Sequence, residues 1–456
     1  MKKNLTIYFA LFSLVLSFVS CGFSDEDEVV LSPYAMLKSF SLGNIKSAYP
    51  EFTSTGEDTL VVKTVAMDSY AFTIDQAAGE VYNNDSILYR TDVTKVVISY
   101  TSDGVASIYV DSLDTYVHLS TTDSIDFSSP RKVRVYSGDA EYYKDYTVKV
   151  NVHQVEPELM VWNKYAVAEG VVPVRAVEAD GVMHLFGKDG NGATVVATTD
   201  IKDIPSWKVQ SLSGLPADAE LATVQVFRGA LYAVAGGDVY TSTNGADWTV
   251  AASGTGAVAI VGVSDEDGKL WIAGNQGVMY SEDGVAFAVS EALPEGFPLY
   301  GVSLASYPMV HNKSIIRYML VGYTNAEKNG SPVVWSKLST EDAWAVYHNE
   351  GNQYACPSLG GLSVVRYDDF LYALGGAGTV NGNAVDAFGS FYISRDNGIT
   401  WKVSTGFYQR LPQELAGNDA PFAVTVDSDN FMWIINSGTD GGVWKGIINR
   451  LGFKKR

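Results

Sequence analysis

Between residues 33 and 155, apolar and polar residues alternate with a period of two, and turn residues separate the runs. Residues 93–100 and 146–152 show this alternation. Successive side chains of a β-strand point to opposite faces, so the pattern predicts strands that bury one face. Several such runs in one segment predict a β-sandwich domain over residues 33–156, followed by a short polar linker that contains Pro157.

After residue 158 the sequence repeats with a period of about 40 residues. Each unit contains three apolar runs and then a polar turn that closes on an aromatic residue, as in residues 231–248, 270–287 and 371–401. The closing aromatic residues are Trp207, Trp248, Phe287, Trp344 and Trp401. Four short strands per unit are typical of a β-propeller blade, so residues 158–456 are predicted to form an all-β propeller.

The last unit of the repeat, which ends near residue 453, lacks a fourth strand. Residues 159–164 precede the first unit and carry Trp162 where a closing aromatic residue is expected. We expect this segment to complete the last unit, because pairing the two ends of the ring leaves fewer bare strand edges. The sequence therefore predicts six blades, with seven blades as the alternative.

Residues 394–401 match the pattern Ser-x-Asp-x-Gly-x-Thr-Trp in full, and other units carry degraded copies. This turn resembles the Asp-box of a group of β-propellers that includes the sialidases. The resemblance implies a structural role for Ser394, Asp396, Gly398 and Trp401. The Asp would accept hydrogen bonds from main-chain amides, the Gly would take a positive φ, and the Trp would pack between blades. The turn names no chemistry.

Two further segments resemble parts of known surface proteins. Residues 126–148, with a turn at Gly138 and Asp139, are similar to the last hairpin of immunoglobulin-like modules next to the anchor of lipoproteins from gut anaerobes. Residues 444–453 resemble the ending of a family of anaerobe propeller lipoproteins whose function is not assigned. These resemblances imply an immunoglobulin-like spacer and a surface location, and they name no ligand.

The first residues predict export and attachment to a membrane. Two lysines precede an uncharged apolar stretch, residues 5–19, which is too short to span a bilayer and is typical of a signal peptide over residues 1–20. Residues 16–21 resemble a lipobox, so Cys21 is expected to carry lipid at the start of an acidic tether, residues 21–32. We expect a lipid-anchored protein that faces the exterior of the outer membrane, with a plain secretory signal as the alternative.

Composition narrows the possible partners of the chain. Its formal net charge is −20 at pH 7, so phosphate backbones would be repelled and nucleic acid is a poor candidate. Once Cys21 is lipidated, Cys356 has no partner for a disulfide, and the five histidines show no metal-ligand spacing. The sequence thus predicts no metal and no cofactor, and we expect a monomer.

The sialidase resemblance raises the question of catalysis. A sialidase binds the substrate carboxylate with three arginines, and its first inner strand carries Arg-Ile-Pro. Here Val171 stands in the place of that arginine, and Arg175 follows Pro173 by two residues, where it should face another sector of the ring. The sequence therefore favours a non-catalytic binding module, and a sialidase-like glycoside hydrolase with a divergent site is the alternative.

In a propeller, ligands usually meet the face opposite the Asp-box turns, which is formed by the loops between blades and between second and third strands. Aromatic rings there can stack on sugars, and Asn, Asp and Arg can hydrogen-bond hydroxyl groups. The candidate ligand-binding residues are Tyr323, Asn325, Tyr354, Arg366, Asn383, Asp386, Phe388, Tyr408, Arg410 and Asp440. The expected ligand is a glycan or another surface protein.

Overall fold

The structure is a computed structural model that describes residues 32–53, 58–67, 69–202, 206–348, 351–438 and 441–453. Strands dominate these residues, whose helical segments are the 3₁₀ turns η1 (Leu221–Thr223), η2 (Gln413–Leu415) and η3 (Asn449–Gly452). The chain divides into two compact units, Met1–Val155 and Glu156–Arg456. The predicted all-β class is confirmed. The predicted signal peptide and Cys21 lie outside the described residues.

The described residues of the N-terminal unit form the strands β1 (Leu37–Leu42), β2 (Ile45–Phe52), β3 (Asp58–Val65), β4 (Phe72–Asp75), β5 (Glu80–Asn83), β6 (Ile98–Ser102), β7 (Ala106–Val110), β8 (Thr115–His118), β9 (Arg131–Tyr136) and β10 (Tyr143–Lys149). One sheet has the order β4-β5-β10-β9-β7-β8, and β5 is parallel to β10 within it. β1 pairs with β6, and β2 pairs with β3. The predicted hairpin of residues 126–148 is present as the antiparallel pair β9 and β10.

One hydrophobic core holds the N-terminal unit together. Phe40 on β1 packs edge-on against Phe72 on β4, with ring centroids 5.1 Å apart, and against Phe127 at 6.3 Å. Val135 on β9 and Val148 on β10 are fully buried in the same cluster. The small β1–β6 sheet therefore packs on the large sheet, and the alternating apolar residues of both sheets fill the space between them.

The alternation over residues 93–100 predicted a strand that the structure shortens. β6 begins at Ile98, because a local turn forms just before it. The Asp92 carboxylate accepts hydrogen bonds from the main-chain amide of Thr94 (3.0 Å) and from its hydroxyl (2.6 Å). Such local side-chain bonds compete with strand pairing. Val96 is buried and forms an isolated β-bridge with Ile125. The alternation therefore predicted the burial of this residue correctly, but the strand begins later than predicted.

The described residues of the C-terminal unit form six four-stranded blades, of which the first three are built from the first half of the unit. Blade 1 contains β12 (Val172–Ala179), β13 (Val182–Lys188), β14 (Thr194–Asp200) and β15 (Lys208–Ser211). Blades 2 and 3 contain β16 (Gln225–Phe227), β17 (Ala230–Ala235), β18 (Gly237–Ser242), β19 (Thr249–Ser264), β20 (Lys269–Gly274), β21 (Gly277–Ser281) and β22 (Ala288–Glu291). These two blades share β19, whose residues 249–252 pair with β18 and whose residues 257–264 pair with β20.

The remaining blades follow in chain order, and blade 5 carries an insertion. Blade 4 contains β23 (Tyr300–Pro308), β24 (Ile316–Tyr323), β25 (Val333–Leu338) and β26 (Ala345–Tyr347). Blade 5 contains β28 (Ser363–Tyr367), β29 (Phe370–Leu374), β32 (Tyr392–Ser394) and β33 (Lys402–Val403). Its insertion is a hairpin of β30 (Gly378–Val380) and β31 (Asn383–Val385), which pairs with β27 (Ser358–Leu359).

Blade 6 closes the ring with strands from both ends of the unit. It contains β34 (Phe422–Val426), β35 (Met432–Asn436), β36 (Gly442–Ile448) and β11 (Met160–Tyr165), and β11 pairs antiparallel with β36. The predicted closure is thus confirmed, and the blade count is six rather than seven. Trp162 lies across Gly446, where an added Cβ would come within 2.4 Å of the indole ring, so this pairing requires a glycine.

The first strand of each blade lies innermost, and these six strands are neighbours around a central channel. Strands within a blade alternate in direction, so every inner strand begins at the same face. We call that end of the channel the mouth and the opposite end the far end. The loops between blades and between second and third strands surround the mouth, whereas the turns between third and fourth strands lie at the far face.

Candidate functional site

The turn at residues 394–401 lies between the third and fourth strands of blade 5, and its side chains are used to hold the turn. Asp396 accepts hydrogen bonds from the main-chain amide of Thr400 (2.8 Å) and from its hydroxyl (2.6 Å). The hydroxyl of Ser394 accepts from the amide of Gly398, whose φ is +87°. The buried Trp401 donates from Nε1 to the carbonyl oxygen of Gly398 (3.0 Å). The expected structural geometry of the turn is therefore present.

The glycine of each such turn packs against the second strand of the preceding blade. An added Cβ at Gly245 would lie 2.8 Å from His184, one at Gly284 would lie 2.1 Å from Tyr232, and one at Gly398 would lie 2.9 Å from Met319. In blade 4 no glycine stands in the turn, and Nε1 of the buried Trp344 has no hydrogen-bond partner among the described residues. These turns join neighbouring blades, and their polar groups are already engaged.

A cavity of about 460 Å³ occupies the mouth of the channel, on the face opposite those turns. Its wall is formed by the first residues of β12, β23, β28 and β34 and by the loops that lead into them. Cavities of roughly 300–1,000 Å³ are the size that holds small ligands in proteins. Its position on the ring axis agrees with the face on which sequence reasoning expected a ligand.

Arg175 on β12 lines this cavity and extends into the channel below it. A β-bulge between Pro173 and Arg175 shifts the alternation of the inner strand. Val171 consequently packs against blade 6, with Trp433, while Val177 packs against blade 2, with Leu231. Bulges commonly re-aim a side chain in this way. The bulge is the physical reason why Arg175 faces a different sector from Val171, as the sequence suggested.

Among the described residues, the guanidinium of Arg175 makes one hydrogen bond, from Nε to the carbonyl oxygen of Val224 at 3.1 Å. Within the described ranges, no carboxylate lies within ion-pairing distance of it. Part of the side chain reaches the channel, yet the surrounding protein atoms desolvate the guanidinium and lower its pKa to about 10. Arg175 thus remains a cation at neutral pH without an internal counter-charge.

The rest of the mouth offers few charged groups. Lys328, an exposed residue of the loop between β24 and β25, lies over Gly301, whose added Cβ would be 3.5 Å from the lysine Cδ. Asp419 accepts a hydrogen bond from the amide of Ala377 at 3.0 Å. Phe422 lines the wall and packs edge-on against Phe388 at 4.8 Å. The mouth therefore combines two cations, one carboxylate and an aromatic ring among its described residues.

Arg366 occupies the far end of the same channel, in contrast to Arg175. It lies near the end of β28, where Nη1 donates to Glu266 Oε1 (2.9 Å) and to the carbonyl oxygen of Ser306 (2.8 Å). Its guanidinium also stacks over the ring of Tyr307, 4.6 Å from the centroid. Neighbouring Asp265 has a pKa raised above its usual range by desolvation and by the charge of Glu266. Arg366 is therefore held by the fold.

Two of the predicted ligand-binding residues are buried, and their assignment is wrong. Tyr323 is 2% exposed, and its hydroxyl donates to the carbonyl oxygen of Leu359 at 3.2 Å. Phe388 is 2% exposed and packs in the core between blades 5 and 6. Aromatic residues at the ends of strands next to loops look the same in a sequence whether they face a ligand or the core.

Tyr354 also lies elsewhere than expected. Its carbonyl oxygen accepts from the amide of Trp401 at 2.8 Å, and neighbouring Asn352 donates to the carbonyl oxygen of Ile399 at 3.0 Å. Tyr354 therefore lies beside the turn at the far face, where Lys402 covers its ring. Its assignment to the ligand-binding face is corrected, because residues 352–354 contact the far-face turn of blade 5 before the chain reaches β27.

The other predicted residues are scattered around blades 4 and 5. Asn325 uses both groups of its side-chain amide on Asn329, within its own loop. Asn383 and Asp386 are exposed on the insertion of blade 5 and line none of the described cavities. The structure does not bring these residues together into one site.

Tyr408 lines a separate cavity of about 540 Å³ at the outer rim of blade 5, beside Lys402 and Gln409. Arg410 stacks over Phe407, and its carbonyl oxygen accepts from Trp162 Nε1 at 2.8 Å, which ties this loop to the closing strand. Asp440 lies outside the described residues. Thus Arg366 alone of the predicted set lines the central channel, and it does so at the far end.

The sequence alone does not bring Lys328 together with Asp419 and Phe422, because Lys328 belongs to blade 4 and the other two lie at the start of blade 6. They meet at the mouth through ring closure. Arg175 did carry a signal in the sequence, because it follows the proline of the first inner strand by two residues and is predicted to face another sector of the ring. Within the described residues, no group of three or more His, Cys, Asp or Glu could hold a metal ion, and no helix is long and apolar enough to cross a membrane.

Residues 156–456 match the DUF6242 β-propeller domain, and residues 40–150 match the DUF6242 N-terminal domain, a domain of unknown function. The chain belongs to the DUF6242 family. The family's propeller domain spans all six blades described above, including the closing strand β11. No curated protein matches the sequence.

Several solved structures are similar to parts of this DUF6242 chain. An α-L-arabinofuranosidase from Fusarium graminearum is 12% identical over 63% of this chain and 97% of its own, with a TM-score of 0.36. The lectin SapL1, solved with α-methyl fucoside, is 8% identical over 61% of this chain and 92% of its own, with a TM-score of 0.36. A sialidase from Trypanosoma rangeli is 13% identical over 63% and 56%, with a TM-score of 0.33. At these values the likeness says nothing about a ligand or a reaction.

Proposed function

We propose that the propeller is a non-catalytic binding module that receives part of a glycan in the channel mouth. The observation that carries this proposal is the cavity of about 460 Å³ on the ring axis, into which an unpaired guanidinium extends. The same cavity presents a carboxylate acceptor at Asp419 and an aromatic ring at Phe422. Such a mixture of apolar wall and few polar groups suits a sugar, whose ring has apolar faces and hydroxyl edges.

The mouth favours binding over hydrolysis. Hydrolysis of a glycosidic bond generally uses two carboxyl groups, about 5–9.5 Å apart. Asp419 is the one carboxylate among the described residues of the mouth, and it already accepts a main-chain amide. Asp265 and Glu266 lie at the far end of the channel, where Glu266 pairs with Arg366. A glycoside hydrolase with a divergent site is the alternative that the binding experiment also tests.

We further propose that the protein is displayed on the outer membrane through lipid on Cys21, with the N-terminal unit as an immunoglobulin-like spacer. The signal-like first segment, the lipobox-like residues 16–21 and the acidic run at 25–28 support this location. We assign the turns at 242–248, 281–287 and 394–401 as Asp-boxes, because their side chains make equivalent hydrogen bonds. Lipid on the N-terminal cysteine of the native protein, measured by mass spectrometry, tests the anchor. Protease treatment of intact cells tests the exposure.

Binding is tested with a glycan array and residues 22–456, the mature chain without the lipidated Cys21, followed by turnover assays on each glycan that binds. We expect binding without turnover. Two exposed lysines provide a matched pair of variants: Lys328→Met at the mouth should weaken binding, whereas Lys402→Met at the rim cavity should not. Hydrolysis of a bound glycan would support the alternative that the protein is a glycoside hydrolase. If no glycan on the array binds, a protein partner is favoured.

A further inference from the structure

Arg175 is a cation that the described protein leaves unsatisfied. A guanidinium carries five N–H donors, and here one of them, on Nε, reaches the carbonyl oxygen of Val224. The donors on Nη1 and Nη2 have no protein partner among the described residues, although the side chain is desolvated enough to lower its pKa. Arg175 is partly buried, and removing a charge from water without a partner is costly, so the guanidinium is a candidate for an external counter-charge.

Other arginines of the propeller show that the fold can provide partners. Arg366 at the far end is paired with Glu266, and Arg450 is paired with Glu158 and Asp368. All of these pairs lie away from the mouth. Arg175, by contrast, has no ion pair among the described residues, and it lines the cavity of about 460 Å³ on the channel axis. This coincidence of a cavity and an unpaired cation points to a ligand rather than to a structural role.

We propose that Arg175 binds an oxyanion of the glycan, a carboxylate or a sulfate on a sugar, in the channel mouth. This inference rests on the proposed function and specifies the chemistry of the ligand. Because Nε is occupied by Val224, the guanidinium offers the edge formed by Nη1 and Nη2. Two parallel N–H donors on that edge match the two oxygens of a carboxylate, which makes the contact charge-assisted and directional. Lys328 adds a second positive charge at the rim of the same cavity.

The charges around Arg175 also limit the number of acidic groups in the ligand. Asp419 lines the same cavity, so a second anionic group beside it would be repelled, whereas a sugar hydroxyl could donate to it. The whole chain carries a formal charge of −20, which disfavours polyanions at long range. An acidic sugar with a single charged group and free hydroxyls fits this arrangement better than a nucleotide or a strongly acidic peptide.

The test compares three probes of one size by calorimetry with the mature chain. They are a disaccharide that ends in a uronic acid, its counterpart with the carboxyl group reduced to an alcohol, and the same neutral disaccharide bearing one sulfate. We expect the acidic probes to bind at least about tenfold more tightly than the neutral one, the size of a charge-assisted hydrogen bond. The uronate and sulfate arms show which oxyanion Arg175 prefers.

Variants locate the contact. Arg175→Met should reduce affinity for the acidic probes at least about tenfold and leave the neutral probe unchanged, and Arg175→Lys should retain an intermediate affinity, since a point charge lacks the planar fork. Arg366→Met, at the far end of the channel, is the matched control and should not change affinity. Thermal unfolding of each variant verifies folding, and Arg175→Lys serves if the Met variant does not fold.

The outcomes separate this inference from the proposed function. Equal binding of acidic and neutral probes would overturn the oxyanion contact and leave the glycan-binding proposal intact. Acid-selective binding that survives Arg175→Met would place the contact elsewhere and overturn the role of Arg175. If neither these probes nor the array yields a bound glycan, both proposals fail.

Discussion

The two ends of the central channel each carry an arginine, and the fold treats these arginines differently. At the far end, Arg366 has a carboxylate, a carbonyl oxygen and a tyrosine ring as partners. At the mouth, Arg175 has one carbonyl oxygen, and no carboxylate of the described residues pairs with it. An unpaired charge that is partly removed from water costs stability. We therefore interpret Arg366 as a cation that stabilises the fold and Arg175 as one that is available to a ligand.

Local sequence explains this difference. The turn between β19 and β20 carries Asp265 and Glu266 in succession and presents Glu266 to Arg366 across the channel. At the mouth, the connection before β28 runs through Gly360 and Gly361, which have no side chains to offer. At Gly361 the φ is +59° and an added Cβ would lie 3.0 Å from the Phe422 ring, so a larger residue is disfavoured there. The wall beside the mouth is thus kept open and poor in acidic groups.

Of the substitutions that test this difference between the two arginines, the one at the far end should change stability most. Arg366→Met should destabilise the propeller by about 2 kcal/mol, because it leaves Glu266 without its ion pair and removes the donor to the carbonyl oxygen of Ser306. Both charged side chains are partly exposed, so solvent limits the contribution of the ion pair itself. Chemical denaturation followed by fluorescence measures the change. An unchanged unfolding free energy would show that Arg366 is not a structural cation.

Substitution of the arginine at the mouth by methionine should stabilise the propeller instead of destabilising it. Arg175→Met removes an unpaired, desolvated cation and places a flexible apolar side chain beside Val174 and Val364, so we expect a gain of about 1 kcal/mol without ligand. The gain should appear in the same denaturation experiment. A loss of stability equal to that of Arg366→Met would erase the distinction between the two ends.

A carboxylate introduced next to Arg175 should form an ion pair with it, so that Arg175 stabilises the fold and is less available to a ligand. Gln225 lines the same smaller cavity as Arg175, below the mouth, and Gln225→Glu introduces a carboxylate there. We expect a gain of about 0.5–1 kcal/mol in stability together with weaker binding of acidic sugars, because the new carboxylate competes for the guanidinium. Gln225→Leu is the matched control without charge. Unchanged affinity in the Glu variant would contradict the proposed contact.

The smallest expected effect is a pH-dependent change in stability caused by Asp265, at the far end of the channel. The pKa of Asp265 is raised in the folded state by desolvation, then by Glu266, against the attraction of Arg366. A carboxyl group with a raised folded pKa destabilises the fold when it is ionised, so this cost is present at neutral pH and disappears as pH falls below the ordinary range of Asp. The side chain of Asp265 remains accessible to solvent, which screens its charge, so Asp265→Asn should be more stable than the wild type at pH 7 by at most about 0.5 kcal/mol. The difference should vanish in acid, as measured by unfolding at both pH values.

Much of the architecture could be predicted from the sequence, because its determinants are local. The repeat of apolar runs specified the blades, and the closing strand β11 was identifiable by the missing fourth strand of the last unit and by Trp162. The polar groups of residues 394–401 hold their turn through bonds that span at most four residues, so their pattern is visible in the chain. Where a local bond competed, as Asp92 does with strand pairing, the prediction failed by a few residues.

The site was much less predictable, because its residues come from separate blades. Tyr323 and Phe388 have the composition and loop positions of ligand-binding residues, yet neighbouring blades bury them. Lys328, Asp419 and Phe422 meet Arg175 only after the ring has closed. The sequence by itself determined the strands, the repeat and the structural turns, which depend on nearest neighbours. The tertiary structure alone decided that Arg366 has a counter-charge and that Arg175 has none among the described residues, because ion pairing and desolvation depend on every element that faces the channel.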